Sequence, residues 1–191
     1  KSKEKDCDIV CFPELALTGY PPCDLLCNPE FIGQCEDAVE NIAKLADGID
    51  ILLGAAISDS QCGKPMNCVV LLKDQSIHAI FPKKHLDRHV YFDETRYFIP
   101  GSMAPYTIDY GDMRLGILIG QIEGQEVLGS IYDEDGIDLF VNITATPYYY
   151  GRQTERIERL SKLANSANRP IVYVNMVGGN NELVFDGGSL V

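Results

Sequence analysis

Short apolar runs typical of buried strands alternate along this chain with stretches that carry apolar residues at helical spacing. Residues 8–12 (DIVCF) form one such run, because β-branched and aromatic side chains pack well on a pleated sheet. In 29–46 and 152–168 the apolar residues recur at helical spacing and leave charged residues toward water, which predicts two surface helices. Further strands are predicted over 50–57, 138–142 and 171–175.

Two pairs of apolar runs are predicted to form hairpins, because a short polar turn separates the runs of each pair. The first hairpin joins 67–73 to 76–81, and the second joins 106–109 to 113–119. Hairpins supply antiparallel neighbours, so the chain is predicted to be an α/β fold with mixed sheets and outer helices rather than an all-parallel doubly wound sheet. The final residues, 184–191, are predicted to begin a closing strand.

The size and charge of the chain limit its class. Its 191 residues are 46% hydrophobic, which is enough for one core, and a single domain over 1–191 is predicted. The net charge of −12 disfavours nucleic acid and anionic membrane surfaces as partners. The sequence has neither an apolar run of about 20 residues nor a secretory leader. We therefore expect a soluble, cytoplasmic protein. A charged stretch that begins at Lys1 leads directly into a strand, so we expect a fragment of a longer chain.

Glu14 lies in the segment CFPELALTGYPP, directly after a predicted strand and a proline. Its carboxylate should project from the edge of the sheet, where the active sites of α/β folds collect. A carboxylate in this segment would equally suit a hydrogen bond to the backbone of the following turn. Glu14 is therefore a candidate acid or base with a structural alternative.

The segment FPKKHLDRHVYFDETRYFIPG concentrates charged residues among aromatic ones. Such a density of charge among aromatic residues implies partial burial, where a charge must be paired or must serve a functional site. Lys83, at a predicted strand end, is the best candidate for a cation that serves a site, although a salt-bridged loop would give the same pattern. His85 and His89 stand four positions apart and could share a metal on a helix, but their strand-like, aromatic context favours no metal.

The segment MRLGILIGQIEGQEV reads as a buried strand that runs into a tight turn and then a helix. This is the geometry of a nucleophile elbow, which exposes one side chain above the sheet. The turn holds Gly120 and Gln121, and neither can attack a carbonyl. All seven cysteines lie at or before position 68, so the second half of the chain holds no thiol.

The segment VNITATPYYYGRQTER places polar and aromatic residues between a predicted strand and the second predicted helix. Loops at strand ends commonly shape substrate pockets. Thr146 and Arg152 are therefore candidates for substrate binding. Arg152 and Arg156 would equally suit solvated charges on the helix.

Taken together, these segments resemble the nitrilase superfamily of carbon-nitrogen hydrolases, and most closely the glutaminase (amidotransferase) domain of glutamine-dependent NAD synthetases. The stretches FPELALTGYPPCDLL, KKHLDRHVYFDETRYFIPG, NITATPYYYGRQTER and VYVNMVGGNNELVFDGGSLV carry the resemblance and span essentially the whole chain. The last is the most specific, since it is similar to the VNxVGGxDELVFDG signature of the synthetase branch. The resemblance implies a nitrilase-like α-β-β-α sandwich with its N-terminal and C-terminal parts truncated.

The resemblance also implies roles for individual residues. The family's catalytic Glu falls on Glu14, its Lys on Lys83 and its accessory Glu on Glu94. In that chemistry a cysteine thiolate attacks the side-chain amide of glutamine, Glu relays the proton, and Lys steadies the tetrahedral oxyanion. The substrate-binding positions would be His89, Gln121, Thr146 and Arg152.

The chain departs from the family at the nucleophile. The family's cysteine, usually in a stretch like LICED, falls on Gly120 in LIGQI, with Gln121 and Ile122 in place of Glu and Asp. LDRH also replaces the expected LPNY after the lysine, which puts His89 where a substrate-contacting Tyr would stand. Loss of a nucleophile costs on the order of 10⁶ in turnover, so we expect an inactive amidase site.

Two functions from different classes follow. The first is the ammonia-supplying domain of an NAD synthetase, with glutamine as ligand, no cofactor or metal of its own, and ATP and Mg²⁺ used by a separate synthetase domain. The second is a non-catalytic nitrilase-like scaffold or oligomerisation module. Association into a homo-oligomer is expected under both, and a following ATP-binding domain would support the first.

Overall fold

The computed structural model describes residues 1–89, 92–102, 106–121 and 136–191, the side chain of His89 excepted. These residues form two compact units, Lys1–Met103 with Asn180–Glu182, and Ala104–Gly179 with Leu183–Val191. Each unit contains one four-stranded mixed sheet. The single domain over 1–191 stays a prediction.

The sheet of the first unit contains the first predicted hairpin. Its strands are β1 (Ile9–Cys11), β2 (Asp50–Ser58), β3 (Pro65–Lys73) and β4 (Ser76–Pro82). They follow the order β1-β2-β3-β4, with β1 parallel to β2 and the other neighbours antiparallel. The hairpin turns at Asp74 and Gln75, which both have positive φ. The predicted strands are thus confirmed in this unit.

Helix α1 (Pro29–Ala43) covers this sheet. It begins where the side chain of Asn28 accepts a hydrogen bond from the backbone N–H of Glu30 at 3.0 Å. Its buried face shares one hydrophobic cluster with residues of β2 and β3. The sequence predicts a helix to residue 46, but it ends at Ala43, and the N–H of Ala46 then bonds to the Ala43 carbonyl at 2.9 Å in a tighter turn.

Gly54 in β2 lets the segment that carries Glu14 lie directly on the sheet. A Cβ at this position would stand 2.6 Å from the Leu15 nitrogen, 2.8 Å from the Glu14 Cα, and closer still to the Pro13 carbonyl. No side chain fits in that space, so the approach of the two backbones requires glycine. This contact fixes the point from which the Glu14 side chain extends.

Short elements complete the first unit. They are the 3-10 helices Lys3–Lys5 and Cys23–Cys27, the paired strands β5 (Arg88–His89) and β6 (Phe92–Asp93), and the one-turn helix α2 (Glu94–Tyr97). Sequence patterns do not predict β5, β6 or α2, because each is too short to show a period.

The sheet of the second unit contains three parallel strands and one antiparallel edge. Its strands are β7 (Thr107–Tyr110), β8 (Met113–Ile119), β9 (Leu139–Thr144) and β10 (Ile171–Asn175). They follow the order β10-β9-β8-β7, in which β7 alone runs antiparallel to its neighbour. The second predicted hairpin, β7 with β8, is confirmed.

Helix α3 (Arg152–Ala167) packs on the second sheet through Leu160 and Leu163, which share a cluster with Phe140 of β9 and Tyr173 of β10. It ends at Ala167 and is capped by Asn168, a left-handed residue whose N–H donates to two carbonyls of the last turn. In the described part of the chain, none of the helices has the length and apolar character needed to cross a membrane.

The closing strand predicted over 184–191 is divided in the structure. Strand β12 (Leu183–Asp186) pairs with β11 (Val177–Asn180), and Leu190 forms a separate bridge to Tyr173. Gly187 and Gly188 lie between these two pieces and both have positive φ. The strand cannot continue through this left-handed backbone.

Candidate active site

Lys83 is the centre of a buried ionic cluster in the first unit. It follows β4 directly and is 2% exposed, and Glu14 and Glu94 are equally buried. The Lys83 Nζ lies 2.9 Å from Glu14 Oε1, 2.8 Å from Glu94 Oε2 and 2.7 Å from Asp87 Oδ2. An ammonium group has three N–H donors. Each donor of Lys83 therefore has a carboxylate oxygen as its acceptor.

Asn67 joins the two buried carboxylates of this cluster. It lies in β3 and is fully buried. Its Nδ2 donates to Glu14 Oε1 at 2.7 Å and to Glu94 Oε1 at 3.1 Å. Buried polar groups cost free energy unless they are hydrogen-bonded. Asn67 thus supplies a neutral donor to both carboxylates that bind Lys83.

Backbone hydrogen bonds hold the segments that carry the cluster. The Lys83 N–H donates to the Asn67 carbonyl at 2.6 Å, and the Lys83 carbonyl accepts from the Gly101 N–H at 2.8 Å. The Asp87 N–H donates to Glu94 Oε2 at 2.7 Å, and the Glu94 N–H donates to the Asp87 carbonyl at 2.9 Å. These four bonds therefore hold the backbone in place at Lys83, at Asp87 and at Glu94.

Burial and neighbouring charge oppose each other in the cluster. Burial by itself would lower the pKa of Lys83, but the charges of Glu14, Glu94 and Asp87 outweigh it and hold that pKa above its ordinary value. Burial raises the pKa of Glu94 to about 7, although the charge of Lys83 acts against the rise. Glu94 can therefore take up or release a proton near neutral pH.

Tyr20 adds a phenol to this cluster. It is 2% exposed, and burial together with the charges of Glu94 and Glu14 holds its pKa far above the ordinary value, so the hydroxyl keeps its proton. Its side chain is hydrogen-bonded to Glu94. The Tyr20 ring meets the Phe92 ring edge-on, with 5.2 Å between the centroids.

A small apolar cleft lies beside Glu94. Aromatic, prolyl and leucine side chains form most of its wall, including Tyr20, Pro21, Leu26, Phe92, Tyr97 and Phe98. Both carboxylate oxygens of Glu94 are already bound, Oε1 by Asn67 and Oε2 by Lys83, so the carboxylate is part of the buried cluster rather than a free group in this cleft.

Gly120, in the second unit, directly follows β8 and is buried, with a φ of 76°. Its N–H donates to the Ile143 carbonyl at 2.9 Å, and its carbonyl accepts from Asn142 Nδ2 at 3.0 Å. A left-handed residue at a strand end matches the predicted elbow turn, and glycine adopts it without strain. The predicted helix after this turn, and Ile122, lie outside the described residues.

Two of the predicted substrate-binding residues contact each other in the second unit. Arg152 Nη2 donates to Gln121 Oε1 at 2.8 Å. Thr146 lies elsewhere in a buried network, where its Oγ1 is 2.7 Å from Thr144 Oγ1 and accepts from the Tyr173 hydroxyl at 3.0 Å. Thr146 is 2% exposed, so its hydroxyl is already engaged within the protein.

Arg156 is not a solvated helix charge, because it is 1% exposed. Its Nη2 lies 2.8 Å from Asp186 Oδ1 and its Nη1 lies 3.2 Å from Asp186 Oδ2, so the pair is bidentate. The guanidinium also lies over the Tyr173 ring, 5.6 Å from its centroid. A side chain at Gly188 would collide with this guanidinium. Asp186 and Gly188 of the sequence signature thus both contact a buried cation.

The structure brings Glu14, Lys83 and Glu94 together, although Lys83 and Glu14 are 69 residues apart in sequence. Sequence reasoning missed three further members of the cluster, namely Tyr20, Asn67 and Asp87. His85 is exposed, and the side chain of His89 lies outside the described residues. Among the residues that the structure describes, no group of three or more His, Cys, Asp or Glu could hold a metal ion.

Comparison of the sequence with known families gives a match over its full length. Residues 1–191 match the profile of the carbon-nitrogen hydrolase family. The chain is 35% identical over 206 residues to the glutamine-dependent NAD(+) synthetase of Synechocystis sp., an alignment that covers 99% of this chain and 37% of that protein. The chain thus spans about a third of the length of the curated relatives it matches.

Solved structures share the fold. The glutamine-dependent NAD+ synthetase from Acinetobacter baumannii, solved in complex with ADP, matches with a TM-score of 0.91 and 30% identity over 98% of this chain and 35% of that chain. An amidase of the nitrilase superfamily from Nesterenkonia matches with a TM-score of 0.81 and 22% identity over 98% and 70% of the respective chains. The prediction of a mixed α/β, nitrilase-like fold is confirmed.

Proposed function

This chain belongs to the carbon-nitrogen hydrolase family, and we propose that it is the glutamine-hydrolysing, ammonia-supplying domain of a glutamine-dependent NAD synthetase. Gly120 stands at the position of the nucleophile, so the domain is inactive as an amidase. The observation that carries the proposal is the buried cluster of Glu14, Lys83 and Glu94, which occupies the three positions that the resemblance assigns to the acid, the cation and the accessory acid.

The proposed family reaction requires sulfur at position 120. A thiol gives its proton to Glu14, and the sulfur attacks the side-chain amide carbon of glutamine. The carbon-nitrogen bond breaks as Glu14 returns the proton to the nitrogen. Ammonia leaves, and a thioester between the sulfur and the glutamyl carbon remains. Water then gives a proton to Glu14 and cleaves the thioester to glutamate, and the thiol is restored. Glycine cannot form the first bond.

The surroundings of Glu14 suit a proton relay. Lys83 Nζ and Asn67 Nδ2 both bind Oε1 of this carboxylate, at 2.9 and 2.7 Å. Two donors on one oxygen fix the position of that oxygen. The cluster is buried, and electrostatic interactions are stronger there than in water. Glu14 therefore has a fixed position and a polar environment of the kind that proton transfer needs.

The rest of the proposal concerns the whole protein. Glutamine is the proposed small-molecule ligand of this domain, and ATP and Mg²⁺ are the proposed needs of a synthetase domain in the full-length chain. Without a nucleophile here, the full-length enzyme would depend on free ammonia. Gln121, Thr146, Arg152 and His89 remain the proposed substrate-binding positions.

Ammonia release from glutamine tests this proposal. The native chain and a Gly120→Ala variant should release none above the buffer rate. Gly120→Cys should release ammonia, and Glu14→Gln in the Gly120→Cys background should lower that rate about 100-fold, the usual contribution of a general acid or base. Hydrolysis by the native chain that Gly120→Ala leaves unchanged would overturn the proposal, because it would require another nucleophile.

A non-catalytic scaffold is the second candidate, and one observation favours it. The consecutive residues Tyr148, Tyr149 and Tyr150 are 50%, 45% and 96% exposed. Aromatic side chains are enriched at protein interfaces. On this hypothesis the native chain forms a homo-oligomer that Tyr150→Ser weakens, as measured by sedimentation velocity. A monomeric native chain would eliminate this candidate.

A further inference from the structure

Lys83 has no N–H donor left for a substrate. Its three donors face Glu14, Glu94 and Asp87, all within 2.9 Å of Nζ. The shortest of the three distances is the one to Asp87, at 2.7 Å. A developing oxyanion needs a donor aimed at it when it forms. In this chain every such donor of Lys83 is already bound to a carboxylate.

Asp87 differs from the other two carboxylates in its exposure. Glu14 and Glu94 are buried and share the amide of Asn67, whereas the side chain of Asp87 is 36% exposed. Any ligand that reaches Lys83 from solvent must approach along an exposed side. Asp87 is the one member of the trio that stands on such a side, so it occupies the donor that a ligand could otherwise use.

The sequence also departs from the expected family pattern at Asp87. The stretch after the lysine reads LDRH, where the resemblance leads one to expect LPNY. Residue 87 would then be proline, whose side chain has no acceptor atom. Here the residue is an aspartate, and its backbone is held by two hydrogen bonds to Glu94. The carboxylate is therefore fixed next to Lys83.

We propose that Asp87 is an internal substitute for the oxyanion. Its carboxylate binds the N–H of Lys83 that a tetrahedral intermediate would require, and this blocks amide chemistry at Lys83 independently of Gly120. The inference rests on the proposed function only in its assignment of Lys83 as the oxyanion donor. It implies that a thiol at position 120 alone gives a slow enzyme, because the substrate must first displace Asp87.

The occupation of this Lys83 donor by Asp87 can be tested without an activity assay. The measurement is the rate of hydrogen exchange of the Lys83 ammonium protons, followed by ¹H–¹⁵N NMR in the native chain and in variants. Asp87→Ala removes the acceptor and should speed exchange at least about 10-fold, the equivalent of one hydrogen bond to a charged group. Asp87→Asn keeps an oxygen acceptor and should give a smaller increase.

Asp93 supplies a matched control. It is a nearby carboxylate that accepts a hydrogen bond from the Thr95 hydroxyl and lies 4.0 Å from Arg88, and its side chain is 42% exposed. Asp93→Ala removes the same charge but should leave the exchange rate of Lys83 at the native value. If Asp87→Ala and Asp93→Ala give the same rate, Asp87 does not occupy the donor and the proposal is overturned.

The catalytic consequence is tested in the Gly120→Cys background. Adding Asp87→Ala should raise the rate of ammonia release from glutamine by about 10- to 1000-fold, because one oxyanion donor becomes available. Adding Asp93→Ala should leave the rate unchanged. An equal rate with and without Asp87→Ala overturns the blocking role.

The two experiments separate this inference from the proposed function. If no variant in the Gly120→Cys background releases ammonia, the glutaminase proposal and the blocking of amide chemistry both fail. The exchange rate of Lys83 still decides whether Asp87 occupies its third donor. If Gly120→Cys alone releases ammonia slowly and Asp87→Ala raises that rate, both proposals are supported.

Discussion

The side-chain amide of Asn67 donates to the Glu14 carboxylate at 2.7 Å, across 53 residues of sequence. The same nitrogen donates to Glu94, so one neutral group lies between two carboxylates that share a lysine. Like charges at such short range raise the free energy of the folded state unless donors separate them. Asn67 is therefore a positioning residue for the buried cluster.

Asn67→Asp tests this role. The change keeps the shape of the side chain but replaces the donor with a further acceptor next to two carboxylates. We expect the free energy of unfolding, measured by urea denaturation at pH 7, to fall by about 3 kcal/mol. Asn41→Asp is the control, because Asn41 is exposed, and it should change stability by less than about 0.5 kcal/mol. Equal losses would contradict the role of Asn67.

The pKa of Glu94 predicts how stability changes with pH. In the folded state it is raised from 4.5 to about 7, so the folded protein binds this proton more tightly than the unfolded chain does. The resulting stabilisation is fully present below pH 4.5 and is lost as the pH rises through 7. The shift corresponds to about 3 kcal/mol.

Glu94→Gln isolates that contribution, because glutamine does not titrate. Urea denaturation of the native chain and of this variant should give a difference in unfolding free energy that changes by about 3 kcal/mol between pH 4 and pH 8. The native chain should lose stability relative to the variant as pH rises. A difference that stays constant over this range would show that Glu94 titrates normally.

Gly54 should not tolerate even a methyl group. Gly54→Ala places a Cβ against the backbone of the segment from Pro13 to Leu15, and we expect a loss of about 1–3 kcal/mol in thermal or urea unfolding. Gly33→Ala is the matched control: Gly33 lies in α1 with open space at its Cβ position. That change should stabilise the protein by up to about 1 kcal/mol, since alanine favours a helix. The two substitutions should change the free energy of unfolding in opposite directions. A loss of stability in both variants would contradict the role of Gly54.

Arg156 should be essential to the stability of the second unit. Arg156→Met leaves Asp186 without its buried partner, and we expect a loss of about 3 kcal/mol in the free energy of unfolding. Arg114→Met breaks a comparable pair with Asp109, whose side chain is 75% exposed, and should cost less than about 1 kcal/mol. A small loss for Arg156→Met would indicate that the bidentate pair contributes little.

The sequence predicts the regular elements well, since their signals are local. The hairpin of β3 and β4 and the hairpin of β7 and β8 follow from apolar runs around short turns. The predicted end of α1 lies three residues beyond the observed one, because Leu45 and Ala46 keep the apolar spacing after the helix has ended. Hydrogen bonding, rather than hydrophobicity, determines the last turn.

The site is predicted only in part, and for a physical reason. Glu14, Lys83 and Glu94 stand in motifs that a family resemblance can identify. Asn67 lies in a strand whose pattern is ordinary, and its contacts with Glu14 and Glu94 span 53 and 27 residues. Side-chain contacts over such separations arise from tertiary packing, which periodicity does not encode.

Asp87 and Tyr20 were missed for different reasons. Asp87 lies four residues after Lys83, a spacing that suggests a salt bridge but not its burial or direction. Tyr20 lies in the GYPP turn, where an aromatic residue would usually be assigned to packing, and its contact with Glu94 is visible only in the fold. For Arg156 the sequence leaves a solvated helix charge open as an alternative, because its acceptor, Asp186, lies 30 residues away.

The contact of Gly54 with the Pro13–Leu15 segment joins main chain to main chain, and this has a practical consequence for engineering. Rebuilding the apolar side chains around β2 alters rotamers and volumes, whereas the anchor of Glu14 depends on neither. A library that diversifies the surrounding apolar core should therefore preserve this glycine, together with the Lys83 and Asn67 donors, if it is to keep the placement of the acid.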